Sequence, residues 1–149
     1  MKNIIFFAIF SLFAVQVHAQ SAQNQNAATD SRASEYKSLK IVFQLTSADT
    51  VIHQTLMNQL KNYYSVAPDL KVEVVCHGGG LNMLLKNSSV VQKEIKAYAD
   101  KGVNFAACEF AMKKRNVSKD QLIDGAGTVI SGVLEIAKKQ QEGWSYIKL

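Results

Sequence analysis

Three residues stand out for chemistry: Cys76, His77 and Cys108, with a run of glycines, Gly78-Gly79-Gly80, directly after the histidine. Cys108 follows Val103 to Ala107, which reads as a short buried strand. After it comes a helix of about two turns that stops at Arg115-Asn116. A thiol at such a junction faces the backbone N–H groups that open the helix, which favour an anionic sulfur, although Glu109 adds a negative charge beside it. His77 is a residue type that moves protons near neutral pH. The three glycines let the backbone turn tightly or approach a ligand closely. The spacing and the Lys-Ser/Thr pair of a phosphate-binding loop are missing, so a plain tight turn is the competing reading.

Two cysteines in one chain are a structural disulfide, a redox pair or two separate thiols. Strands lie about 4.8 Å apart, so neighbouring strands would bring Cys76 and Cys108 near the distance a disulfide requires. Two cysteines and a histidine are also zinc-ligand types. Successive residues of an extended chain point to opposite sides, however, which makes adjacent Cys76-His77 a poor chelating pair, and no metal or other cofactor is expected. His53 has no partner in its sequence neighbourhood and reads as a surface residue.

The elements that must position these groups follow from hydrophobic period. Leu39 to Leu45 is a strand covered on both faces. Thr46 to Asp49 offers helix N-caps. The next segment sets Ile52, Leu56, Leu60 and Tyr63 on one helical face and ends before Pro68. Leu70 to Val75 is a second strand, and Leu81 to Leu85 a short helix. Ser88 or Ser89 caps a helix with Val91, Ile95 and Tyr98 inward, closed by Gly102. After Cys108 and its helix, Ser118 to Asp120 caps another turn, and Thr128-Val129-Ile130 is a short strand. A last helix carries Val133, Leu134, Ile136, Ala137 and Gln140 in register. Trp144 to Leu149 alternates like an edge strand. Strands alternating with helices imply a parallel sheet with helices on both faces. Ligands bind such sheets beyond the carboxyl ends of the strands, where Cys76, His77 and Cys108 all fall.

The N-terminus is of another kind. Lys2 gives a basic start, Ile4 to Val15 is nearly all apolar, and Val17-His18-Ala19 resembles a cleavage site. Residues 1–19 therefore read as a secretory signal peptide cut after Ala19, and the mature protein as periplasmic or secreted, with no stable membrane insertion. Residues 20–37, rich in Gln, Asn, Ala and Ser, read as a disordered tether. Residues 38–149 suit one domain. Loss of Lys2 takes the formal charge from +5 to +4. The one basic cluster, Lys113-Lys114-Arg115, has no interleaved aromatic residues, so nucleic acid is not an expected partner.

The segments KIVFQL, Asn58 to Asn62, VEVVCHGGGLNMLL, GVNFAACEFAMKKRNV and GWSYIKL together resemble the DsrE/DsrF-like family, and among its members the small exported proteins. The likeness runs from about Leu39 to Leu149. It implies a three-layer α/β/α fold with a five-stranded, mostly parallel sheet, and assembly into trimers or hexamers. In the sulfur-relay members a cysteine at the place of Cys108 receives sulfur as a persulfide. The resemblance thus implies a sulfur carrier, at most a sulfurtransferase-like one, acting through Cys108 with a donor or acceptor thiol protein as partner. His77 and Gly78 to Gly80 would shape the pocket mouth, and Cys76 would resolve the persulfide. A small-ligand or assembly module stapled by a Cys76–Cys108 disulfide, and a thiol redox sensor, are the alternatives. Asn116 stands where many relatives carry Gly, and Asn tolerates the left-handed turn such a helix stop needs.

Overall fold

A computed structural model describes residues 35–149; the signal peptide and most of the tether read from the sequence lie outside the described residues. The strands are β1 (Lys40–Leu45), β2 (Lys71–Cys76), β3 (Asn104–Cys108), β4 (Ala126–Val129) and β5 (Ser145–Lys148). The helices are α1 (Thr50–Val66), α2 (Gln92–Ala99), α3 (Glu109–Lys114) and α4 (Gly132–Gln141), with 3-10 turns at Gly78–Leu84 and Lys119–Gln121. All five strands are parallel, in the order β4-β3-β2-β1-β5. This is the α/β fold expected.

The crossover rule explains the layers. Steps from β1 to β4 always move the same way across the sheet, so right-handed connections put their helices on one face. The step from β4 to β5 runs back past the whole sheet, which puts α4 on the other. The two cores reflect this. On the first face Phe43, Leu45, Val74, Cys76, Phe105 and Ala107 pack against Leu56 and Leu60 of α1, Ile95 of α2, Met112 of α3 and Leu81, Met83 and Leu84 of the 3-10 turn. On the second, Val42, Val75 and Ala106 pack against Ile136 of α4.

Local signals hold at most junctions. Asp49 caps α1, its Oδ1 accepting from the Val51 N–H at 2.8 Å. Ser118 and Gln121 form a reciprocal capping box on the second 3-10 turn. Asn116 takes φ +52° after α3, the left-handed stop expected of it. β5 is an edge strand beside β1.

Two expectations are corrected. His53 is not a surface residue: it is fully buried, because its ring turns in beneath the β1–α1 loop, where Nε2 donates to the Ser47 carbonyl at 2.9 Å. In α4, Val133 and Leu134 do not face the core; both are exposed. The helix meets the sheet through Gly132, Ile136 and Lys139, a spacing of four and then three residues that keeps one narrow stripe inward.

Candidate functional site

The connections leave the carboxyl ends of β3 and β4 in opposite directions. After β3 the chain enters α3 on the first face, and after β4 it enters α4 on the second. Ligands bind parallel sheets at such a divergence of the strand ends, and Cys108 lies at that point, in register with Val129 of β4. Alternation along β3 sends Phe105 and Ala107 to the first face and Ala106 and Cys108 to the second. Cys108 is also the N-cap of α3, with extended backbone. The side chain is almost wholly buried, 6% exposed.

Gly132 covers it. A methyl group at that position would lie 3.4 Å from Cys108 Cβ, 3.4 Å from His77 Cδ2 and 3.0 Å from Val75 Cγ1. Cys108 and His77 therefore flank the same residue, the first of α4, and the N-terminus of that helix closes over both. Ser131 caps α4 by accepting from the Leu134 N–H at 3.5 Å.

His77 follows β2, and its N–H donates to the Leu45 carbonyl at 3.1 Å. Its ring Nε2 accepts from Gln44 Nε2 at 2.7 Å. Gln44 Oε1 in turn accepts from the Tyr146 hydroxyl of β5. Burial pushes the imidazole below its ordinary pKa, so the neutral ring is favoured. Neither Gln44 nor Tyr146 stood out in the sequence. The available signal was a lone glutamine in the apolar strand KIVFQL, at the parity of Lys40 and Val42.

Cys76 does not join this site, and the disulfide and resolving roles are corrected. It is in register with Ala107, not Cys108, and lies in the first-face core. The two thiols are free and on opposite sides of the sheet. Full burial pushes the Cys76 thiol far above its usual range, which leaves it un-ionised. The same geometry keeps Cys76, His77 and Cys108 from converging on one metal, and among the described residues no group of three such side chains does so.

The glycines serve packing. A methyl group on Gly80 would fall 2.1 Å from the Leu45 carbonyl oxygen, and one on Gly79 2.9 Å from that of Thr46. The loop thus lies flat against the end of β1. Only Gly78, at φ +56°, needs glycine for conformation. Arg115 fastens the loop to the end of α3, donating to the Gly78 carbonyl at 3.1 Å and to Asn82 Oδ1 at 2.5 Å. Glu109, next to Cys108, is turned to Thr128 and Lys119 at 2.7 and 2.9 Å; these hydrogen bonds, Thr128's first, hold its carboxyl below the usual carboxylate range.

A parallel α/β sheet with a covered thiol at the point where its connections diverge defines the class of protein. The chain belongs to the DsrE/DsrF-like family, whose profile matches residues 8–149. Among solved structures it is similar to a protein of unknown function from Methanobacterium thermoautotrophicum: 28% identity and a TM-score of 0.70, over 74% of this chain and 99% of that one. No curated protein matches it.

Proposed function

We propose that this chain is an exported sulfur carrier that takes up sulfane sulfur on Cys108. The observation that carries the reading is the seat of Cys108 at the divergence of the β3 and β4 connections, under the N-terminus of α4 and beside His77. Cys108 gives its proton to water and its thiolate attacks the terminal sulfur of a donor persulfide. The new Cys108 S–S bond forms as the donor's S–S bond breaks, and the donor leaves as a thiolate. A second thiolate then attacks the terminal sulfur on Cys108, becomes the persulfide, and releases Cys108 as thiolate. No net oxidation occurs. Cys108 opens α3 as its N-cap, and the first residue of α4 lies over it. The basic start, apolar run and small residues of positions 1–19 support export.

The carrier reading includes assembly with further copies or with a thiol protein. Phe110, Ile130, Val133 and Leu134, all large, apolar and exposed, support this. Phe110 and Ile130 line an open groove with Met112, Val117, Lys113 and Lys119 next to the Cys108 strand end.

The test is intact-mass analysis after incubation with glutathione persulfide. The expected result is one added sulfur atom per chain, removed by dithiothreitol, retained in Cys76→Ala and lost in Cys108→Ala. Wild-type protein with a free Cys108 and no added sulfur would overturn the carrier role.

A further inference from the structure

We infer that Gln44 and Tyr146 are positioning residues that hold His77 in the tautomer carrying its proton on Nδ1. Tyr146 and Gln44 come from the adjacent strands β5 and β1, His77 directly follows β2, the next strand, and all three lie on the second face. Val42 of β1 is buried there, which gives Gln44 the same parity. Tyr146 is in register with Val42, and His77 flanks Gly132 of α4. They touch in a single line: the Tyr146 hydroxyl meets Gln44 Oε1, and Gln44 Nε2 meets His77 Nε2 at 2.7 Å.

The direction of this line is set at its outer end. A phenol hydroxyl is a better donor than acceptor, and an amide oxygen is the strongest neutral acceptor available to it. Tyr146 therefore donates, the amide oxygen is turned outward, and the amide N–H is turned inward. An amide N–H needs a lone pair. His77 Nε2 must then be unprotonated, and the single proton of the neutral ring sits on Nδ1. The opposite alignment would make the phenol oxygen the acceptor of an amide N–H, a poorer use of both groups.

Two consequences separate this arrangement from ordinary packing. The lone pair of Nε2 is occupied, so His77 cannot take a proton there while the line is intact. What the ring keeps free is its Nδ1–H, a donor suited to an anion, not a base suited to a thiol. The inference concerns the ring alone and stands or falls separately from sulfur transfer.

Nitrogen NMR of histidine-labelled full chain at pH 8, where the ring is neutral, reads the tautomer directly. In the wild type the His77 Nδ1 resonance is expected at the position of a protonated nitrogen and Nε2 at that of a lone-pair nitrogen. Tyr146→Phe releases the amide, and the Nε2–H form is expected to rise from the minor to the major tautomer. Gln44→Glu replaces the inward donor by an acceptor and is expected to give Nε2–H outright. Tyr146 is partly exposed, so the Phe variant keeps the fold, and the backbone amide spectrum verifies it. A wild-type ring protonated on Nε2 would overturn the inference. So would an Nδ1–H ring unchanged in both variants.

Discussion

At the scale of single residues, the acid behaviour of His77 follows from its burial. Its folded pKa lies below that of the unfolded chain, about 6.5. Between those two values the unfolded chain binds a proton that the folded chain refuses, so stability increases with pH there. The contribution is fully present above about pH 6.5 and is lost as the pH falls through the lower folded value. Urea melts of wild type and His77→Gln across pH 5 to 8 check this: the wild type is expected to lose stability below about pH 6.5 relative to the variant. Part of the candidate site was legible. Cys108 and His77 were visible because a strand pattern ended at the first and just before the second. The opposite fates of the two cysteines were not, because they depend on register: Cys76 opposes Ala107, and a shift of one residue moves a side chain to the other face. His53 was misjudged because its partner is a backbone carbonyl, which has no sequence signature.

At the scale of elements, α4 is the one to watch. It rests on a four-residue core and on one ion pair, Lys139 Nζ to Glu73 Oε2 at 3.0 Å, with Glu73 only 1% exposed. Burial alone would lower the Lys139 pKa; the Glu73 hydrogen bond and the charges of Glu73, Glu135 and Glu142 outweigh it and leave the ammonium above its ordinary value. The Lys139 ammonium also sits 4.6 Å from the Trp144 ring. Lys139→Met strands a buried carboxylate and is expected to cost about 3 kcal/mol, since removing one partner exposes the full desolvation penalty of the other. Glu73→Leu with Lys139→Met should recover most of that loss. Chemical denaturation of the three proteins checks both statements. The sequence pattern located α4 but assigned its inward face only in part. Ile136 packs inward as its period implies, but Val133 and Leu134 do not; the other contacts go to Gly132 and Lys139, residues that hydrophobic periodicity ignores.

At the scale of the whole molecule, the sheet is wider than what covers it. Five strands span about 19 Å between the outer two, while one helix is about 10 Å across. Among the described residues α4 is the only helix on the second face, and Ile130 before it and Val133 and Leu134 within it stay exposed. If these residues hold copies together, Val133→Glu with Leu134→Glu is expected to give a monomer by light scattering, with the melting temperature of the domain little changed. An unchanged oligomer mass would remove this surface from the assembly. The layers and the parallel sheet were readable from alternating periods. The strand order was not, because nothing in GWSYIKL says which edge it joins.

That order has a kinetic consequence. β5 pairs with β1, so Ile41 meets Ser145 across nearly the entire domain. Closing a loop of about 100 residues costs on the order of 4 kcal/mol in chain entropy before any ladder bond forms. β2, β3 and β4 can add to β1 in turn, which makes β5 the strand expected to pair last. Until then β1 presents an unpaired apolar edge, the kind of surface on which nascent chains stick to one another. The exposure of that edge ends when the four residues of β5 find the first strand.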